Sequence, residues 1–253
     1  MAQLGKTPFY KKAKPTPFDE AVSLVWYLEN VFYHSVPKIY NYIQHNIYDG
    51  KPIENEIIDL GFWPGGDRDG NPFVTTQITL DVAERLRQSI LRSYYRDVRR
   101  LKRRFTFDGV QDILARVEKR LYKHVVRSYT KVNFSQKILL KELYDAREIV
   151  ENKHNSLFIE ELNDFINKVR IFGFHFATLD IRQDSRVHHK AFTQIVDDLL
   201  ASGDTTFPKN YQQLSAEEQI DILSVVKGNI DPKILSDEMS VKTIESIYCL
   251  LYT

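Results

Sequence analysis

A glycine-rich loop over residues 61–75 holds the densest group of side chains that could do chemistry. It contains the charged cluster Asp67-Arg68-Asp69, which follows the aromatic pair Phe62 and Trp63. Four of the chain's ten glycines and two of its nine prolines lie in this loop, so we predict no regular element there. Two interpretations stay open: a tight turn with an internal salt bridge, or a backbone that approaches a ligand closely while its charges order one another.

Two familiar kinds of ligand loop do not fit these residues. Gly61 and Gly66 have the spacing of a phosphate-binding Walker loop, but Asp67 stands where that loop needs a lysine. A calcium loop that starts at Asp67 would need Glu at its twelfth position, where the chain has Ile78. Both motifs are therefore excluded.

A second candidate group lies at the end of a predicted β-strand over Phe174–Arg182. The two-residue period of a strand puts Asp180 and Arg182 on one face, and Phe176 and Ala177 on opposite faces. The carboxyl end of a strand is where α/β barrels carry catalytic groups, and a guanidinium there can bind a phosphate or carboxylate through two hydrogen bonds. The alternative is an ion pair at the strand end that holds two helices.

Metal and thiol chemistry find little support in the sequence. His188 and His189 are adjacent and so point to different faces of a helix, and no His-x-x-x-His pair occurs. We therefore predict no metal site made by protein ligands alone. Cys249, in an apolar run, is predicted to pack without reacting, and a lone cysteine favours a reducing, cytoplasmic setting.

The charge is nearly balanced overall but concentrated in one segment. Lys and Arg number 35 against 34 Asp and Glu, which gives a formal net charge of +1. Seven of the 13 residues from Arg92 to Arg104 are basic, which suits either a nucleic-acid-binding helix or a solvated helix end. Overall neutrality favours the solvated helix and no nucleic-acid partner. No apolar run approaches the ~18 residues of a membrane span, so we expect no membrane partner.

Helical periodicity dominates the elements that must position these groups. Thr16, Pro17 and Asp19 form a helix start, and the helical pattern runs to about Ile47 with an interruption at Pro37. Apolar residues spaced by three or four predict four further helices with these stripes: Leu80, Ala83, Leu86, Ile90, Tyr94, Val98, Leu101 and Phe105; Val110, Ile113, Val117, Leu121 and Val125; Leu139, Leu143, Ala146 and Val150; and Phe158, Leu162, Phe165 and Val169.

The last third of the chain is predicted as one strand among short helices. Gly173 ends the fourth stripe, and further helices are expected from Asp184 to about Leu200, after the capping box of Ser215 and Glu218, and over Ser240–Tyr252. The predicted fold class is predominantly α, a helical bundle with one short strand. A lone strand has no partner, and the last helix ends without a capping signal, so we expect a piece of a larger protein.

Three segments resemble one enzyme family in order and spacing. Phe62–Thr75 resembles the Trp-Gly-Gly-Asp-Arg-Asp-Gly-Asn-Pro segment of phosphoenolpyruvate carboxylases, and Leu179–His188 is similar to that family's Asp-Ile-Arg-Gln-Glu-Ser signature. Lys14–Ala21 matches a third, less specific stretch. The chain is identified as a member of this family, whose fold is an α/β barrel wrapped in helices.

The resemblance implies a reaction that joins phosphoenolpyruvate to bicarbonate and yields oxaloacetate and phosphate with Mg²⁺ or Mn²⁺. It implies a phosphate-binding role for Arg182 and a place for Trp63 in the wall of the CO₂ pocket. The residues implied to support the active-site loop are Asp67, Arg68, Asp69, Asp180 and Gln183. Asp184 stands where the family has Glu. The family commonly forms homotetramers.

The sequence also departs from the family. The Thr-Ala-His-Pro-Thr-Glu motif with the catalytic histidine and the His-Gly-Arg-Gly-Gly loop do not occur in it. We therefore expect residues 1–253 to be a single, mostly helical fragment, with 61–75 as active-site loop and 174–186 as a barrel strand end. By itself it should hold no catalytic residue, bind no metal and be inactive. Two alternatives stay open: a non-catalytic helical module that binds a protein through the Gly/Asp loop, and nucleic-acid binding through Arg92–Arg104.

Overall fold

The computed structural model describes residues 14–51, 53, 57–69, 71, 73–126 and 134–252; Gly70 and Pro72 of the predicted loop lie outside them. The helices are α1 (Pro17–Tyr27), α2 (Tyr33–Asn46), α3 (Thr76–Arg104), α4 (Val110–Val126), α5 (Gln136–Lys153), α6 (Ile159–Phe172), α7 (Ser185–Ala201), α8 (Ala216–Val225) and α9 (Glu238–Tyr252), and the strands are β1 (Gly61–Phe62) and β2 (Thr178–Leu179). The prediction of a predominantly α protein is confirmed.

The first helix begins where the sequence predicts and continues through an irregular turn. Thr16 accepts the Asp19 backbone N–H, and Asp19 accepts the Thr16 N–H at 3.0 Å, which completes a capping box. The interruption was expected at Pro37, but Pro37 lies inside α2 and the irregular part is a π-helical turn over Leu28–Phe32. Proline removes only one helical donor, and the break falls earlier in the chain.

Four helices bury the apolar stripes that the sequence predicts. In α3 the buried side chains include Leu86, Ile90, Tyr94, Val98 and Leu101, and the stripes of α4, α5 and α6 are buried over most of their length. The start of the α3 stripe was predicted wrongly. Ala83 is exposed and Val82 is buried in its place. The buried stripe begins at Thr79 and Val82, each one position before the residue that was predicted.

The predicted strand over Phe174–Arg182 is wrong in length. Gly173 ends α6 with a φ of 52°, and Phe176 has a φ of 69° with its N–H bonded to the Phe172 carbonyl. The chain therefore turns where a strand was expected, and regular pairing is limited to Thr178–Leu179. Phe176 and Ala177 are both buried, which contradicts the predicted alternation.

The strand also has a partner, contrary to the prediction. β1 and β2 pair in parallel, with Gly61 opposite Thr178 and Phe62 opposite Leu179. Residues 61–75 therefore do contain a regular element at their start. A two-residue strand is too short to leave a periodic signal in the sequence.

The described chain divides into two compact units. The first contains the described residues up to Gly66 and the segment Gln77–Asp180, and the second contains Asp67–Thr76 and the residues from Ile181 onward. The first unit holds the large hydrophobic core. The second has two small clusters, built around Ile195, Leu235 and Ile244 and around Val196, Phe207 and Tyr211.

The helices of the second unit begin close to the predicted positions. Asp184 caps α7, Ser215 and Glu218 form the predicted capping box of α8, and α9 begins at Glu238, two residues before Ser240. Among the residues that the structure describes, no helix is both long and apolar enough to cross a membrane.

Candidate functional site

An ion pair in the second unit joins the two candidate groups. The Arg182 Nη2 donates to Asp67 Oδ2, and the two residues form an isolated parallel bridge in which the Arg68 N–H donates to the Arg182 carbonyl at 2.9 Å. The salt bridge is therefore not internal to the loop, nor to the strand end. It connects residues 115 positions apart in the chain.

The Arg182 side chain is held by Asp67 but is mostly exposed to solvent. Its side chain is 60% exposed, whereas that of Asp67 is 29% exposed. The second Asp67 oxygen, Oδ1, accepts the Asp69 N–H at 3.3 Å, so the carboxylate is held by the loop's own backbone. A guanidinium has five N–H donors, so most of them stay available to an anion.

The Arg68 side chain points to α9 rather than to Arg182. Its Nη1 donates to the hydroxyl of Ser246, a side chain that is only 3% exposed. Burial lowers the pKa of the Arg68 guanidinium from its ordinary value. Sequence reasoning missed Ser246, because a serine beside Glu245 in a helical pattern gives no signal of a buried hydroxyl.

Asp184 has a local role at the start of α7. Its Oδ1 accepts the Arg186 N–H at 2.8 Å, and its carboxylate pairs with the Arg186 guanidinium. The hydrogen bond from the Arg186 side chain, and then that from its backbone, lowers the pKa of Asp184. The Gln183 side-chain oxygen accepts the Asp184 N–H at 3.1 Å. The hydrogen bond to Asp184, and to a smaller extent the charge of Asp69, raises the pKa of Arg186. The shorter carboxylate that replaces the family's Glu thus caps a helix.

The remaining candidates lie in the first unit, around β1 and β2. The Asp180 N–H donates to the Phe62 carbonyl at 2.8 Å, and a Cβ at Gly61 would lie 2.9 Å from Asp180 Oδ2. A side chain at position 61 would therefore require the Asp180 carboxylate to move. Because β2 ends at Leu179, the alternation that put Asp180 and Arg182 on one face does not apply. The Trp63 side chain is half exposed.

The turn after Trp63 packs tightly on α3. Gly65 has a φ of 84°, and a Cβ on it would lie 2.6 Å from a Val82 methyl carbon. The Thr79 hydroxyl donates to the Gly65 carbonyl at 2.7 Å. Gly65 is thus required for close packing on α3. The backbone makes a close approach at this position, but to a helix rather than to the ligand that the second interpretation expected.

Acidic side chains pair with much of the basic segment of α3. Arg99 and Lys102 both contact Glu118 of α4, Arg104 contacts Glu161 of α6, and Arg100 contacts Asp97 at 3.4 Å. These pairs offset several of the positive charges, as expected for a solvated helix end that packs on its neighbours.

No three His, Cys, Asp or Glu side chains of the described residues come together in a way that could hold a metal ion. These residues therefore provide no set of ligands for the Mg²⁺ or Mn²⁺ that the resemblance implies. Cys249, in α9, is partly buried.

The fold and site define a predominantly α-helical protein with a short pair of parallel strands and an arginine held by a carboxylate. A model of the phosphoenolpyruvate carboxylase family matches residues 1–144 and 111–247. The chain belongs to the phosphoenolpyruvate carboxylase family.

Proteins named phosphoenolpyruvate carboxylase from several bacteria are similar to this chain. A phosphoenolpyruvate carboxylase of Aeromonas hydrophila is 28% identical over 226 residues, which cover 76% of this chain and 25% of the relative. Those of Trichormus variabilis and Roseiflexus castenholzii are 26% and 25% identical, over 88% and 98% of this chain and 26% and 31% of their own lengths. The chain thus spans between a quarter and a third of the curated relatives it matches.

Proposed function

We propose that the chain is a segment of a phosphoenolpyruvate carboxylase and contributes the phosphate-binding arginine and the adjoining loop to its active site. The observation that carries this proposal is the pairing of Asp67 with Arg182. It joins the two motifs on which the resemblance rests, which lie far apart in the sequence. Family membership and the names of the relatives support the enzyme class.

Arg182 has the properties that a phosphate-binding group needs. Its guanidinium is mostly exposed and is oriented by Asp67, whose carboxylate is held in turn by the Asp69 N–H. An oriented guanidinium loses less conformational entropy when it binds an anion, and it can bind two phosphate oxygens at once. A guanidinium attracts a dianionic phosphate more strongly than a singly charged carboxylate, so we expect Arg182 to bind the phosphate better.

The reaction of the parent enzyme explains why such a group is useful. A bicarbonate oxygen attacks the phosphorus of phosphoenolpyruvate, and the bond from phosphorus to the enol oxygen breaks. The products are carboxyphosphate and the enolate of pyruvate. Carboxyphosphate then releases CO₂ and phosphate, and the enolate carbon attacks CO₂ to form oxaloacetate. Both intermediates are anions, so a fixed guanidinium stabilises them through charge.

Trp63 is proposed to serve the second half of this reaction. CO₂ is apolar and the enolate must be protected from protonation by water, so an aromatic wall suits the place where the two meet. The indole of Trp63 is half exposed in this chain and is therefore available to line such a pocket. A Mg²⁺ or Mn²⁺ ion of the parent would need ligands from elsewhere, because the described residues bring no three His, Cys, Asp or Glu side chains together.

The chain alone is proposed to be inactive. Its sequence has neither the Thr-Ala-His-Pro-Thr-Glu motif nor the His-Gly-Arg-Gly-Gly loop, and it spans 25% to 31% of the relatives compared above. We also propose that the parent binds phosphoenolpyruvate and bicarbonate as substrates and forms a homotetramer. A cytoplasmic location is proposed as well.

The first test is a sequencing read of the coding region on both sides of the 253 codons. Continuation into both missing motifs would support a carboxylase segment, whereas a gene bounded by these codons would leave family ancestry only. The second test is an assay of the purified chain with phosphoenolpyruvate, bicarbonate and Mg²⁺. Oxaloacetate production above the rate without protein would contradict the proposal that the segment is inactive alone.

A further inference from the structure

We infer that Ser246 on α9 is a positioning residue for Arg182, and that it acts through Arg68 and the backbone of the loop. This inference rests on the proposed phosphate-binding role of Arg182. The residues concerned all lie in the second unit. Ser246 accepts a hydrogen bond from the Arg68 side chain, and the Arg68 backbone N–H donates to the Arg182 carbonyl at 2.9 Å.

Arg68 connects two neighbours through different parts of the same residue. Its guanidinium reaches a buried hydroxyl on α9, while its peptide group bonds the backbone of Arg182. The preceding residue, Asp67, supplies the carboxylate that pairs with the Arg182 side chain. Two consecutive loop residues therefore hold Arg182: Asp67 pairs with its side chain, and Arg68 bonds its backbone. Ser246 in turn holds the Arg68 side chain.

The hydrogen bond to Ser246 lies in a setting that strengthens it. Ser246 is 3% exposed, and burial lowers the pKa of Arg68, so the guanidinium sits in a region of reduced dielectric. A hydrogen bond from a charged donor is stronger than a neutral one, and more so away from water. Replacing the hydroxyl by a methyl group therefore removes this hydrogen bond and weakens the hold of α9 on the loop.

The first experiment uses the 253-residue chain itself and compares two serine-to-alanine variants of α9. Ser246→Ala should speed amide hydrogen exchange at residues 67–69 and 181–184 by about tenfold, which is the effect of losing one charged hydrogen bond. Ser240→Ala is the matched control, because Ser240 is also buried on α9 but bonds to Asp237. Equal exchange in both variants at these positions would overturn the inference.

The second experiment measures kinetics in the full-length carboxylase that contains the chain. Ser246→Ala should raise KM for phosphoenolpyruvate about tenfold, change kcat less than threefold and leave KM for bicarbonate unchanged. Ser246→Thr keeps the hydroxyl and should restore KM. A merely structural role would lower the active fraction and hence kcat, without a selective change in one KM.

A double variant tests the route through Arg68. If Ser246 acts only through this residue, Arg68→Gln combined with Ser246→Ala should be no worse than Arg68→Gln alone, whereas additive losses would contradict the route. Arg182→Ala is measured alongside. A loss below threefold for Arg182→Ala would refute the proposed function itself. A large loss for Arg182→Ala together with an unchanged KM for Ser246→Ala would refute only this inference.

Discussion

At the scale of single residues, the chemistry of the site depends on how Arg182 is held. Its partner Asp67 is the less exposed of the two and is anchored by the loop, so the carboxylate is the fixed member of the pair. The exposed guanidinium of Arg182 is then the member of the pair that an anion can reach. Arg186 differs, because its side chain is 89% exposed and pairs with Asp184, the cap of its own helix.

This difference predicts the outcome of two matched substitutions in the full-length carboxylase. Arg182→Ala should lower kcat/KM for phosphoenolpyruvate by about 10² or more, which is the usual loss when a donor that stabilises a reacting anion is removed. Arg186→Ala should change it less than threefold, because that side chain is engaged by Asp184. Steady-state kinetics measures both, and similar losses in the two variants would mean that Arg182 has no special role.

A buried charge pair in the first unit makes a second residue-scale prediction. Lys168 Nζ donates to Asp97 Oδ2 at 2.7 Å, and Tyr33 donates to the same oxygen at 2.8 Å. Burial, and then the charge of Asp97, raises the pKa of Tyr33, so its hydroxyl stays protonated as a donor. The lysine ammonium also lies 4.6 Å from the centre of the Tyr33 ring.

Breaking this pair should be costly. Lys168→Met would leave the buried Asp97 carboxylate with only the exposed Arg100, at 3.4 Å, as its cationic partner. Loss of one member of a buried pair reduces the free energy of unfolding by about 3–5 kcal/mol. The control is Lys141→Met, which breaks the exposed pair with Asp145 and should cost less than about 1 kcal/mol. Urea unfolding measures both; equal costs would mean that the Lys168 pair contributes no more than a surface pair.

At the scale of elements, the π-helical turn between α1 and α2 keeps the buried residues of both helices on the same side. An α-helix advances by about 100° per residue. Over the 19 residues from Ala21 to Tyr40, this would turn Tyr40 about 100° away from the face of Ala21, yet both side chains are buried. One extra residue in the turn over Leu28–Phe32 removes that offset. The Asn30 side chain bonds the Trp26 carbonyl there at 2.8 Å.

Deleting a residue should therefore cost little stability inside this turn and much more outside it. Deletion of Asn30 should convert the π-turn to a regular α-helix without changing the phase of α2, and it should lower the melting temperature by only a few degrees, as for a loss of about 1 kcal/mol. Deletion of Lys38, which is also exposed, should rotate Tyr40 out of the core and cost at least about 3 kcal/mol. Thermal unfolding by circular dichroism tests the pair, and equal melting temperatures would refute the role of the turn.

At the scale of the whole molecule, the two units differ in how much they bury. The first has one extended core that unites α1 to α6, whereas the second has two small clusters. Helix α4 buries six side chains, including Leu114 and Leu121, while α8 buries none. Hydrophobic burial is the main favourable term in stability, so the two units should open with different free energies.

Hydrogen exchange of the intact chain should reveal this difference directly. We expect the amides of α4 to exchange only through opening of the large core, and those of α8 to exchange at least about 10²-fold faster after correction for intrinsic rates. Mass spectrometry of peptic fragments resolves the two helices. Equal protection in α4 and α8 would mean that both units open together.

Much of the helical part of this structure follows from local rules in the sequence. The predicted helix start at Thr16, the capping box at Ser215, the helix end at Gly173 and the stripes of α4, α5 and α6 are confirmed, because each depends on residues within a few positions of one another. The two motifs around Asp67 and Arg182 also singled out the candidate site, and family membership is confirmed.

Tertiary structure alone decided the remaining features. The pairing of β1 with β2 and of Asp67 with Arg182 joins positions more than 100 residues apart, and elements of two residues carry no periodicity that could predict them. The contact of Arg68 with Ser246 is of the same kind. Local patterns therefore determined which residues are helical and which could do chemistry, whereas packing between distant segments determined which of those residues meet.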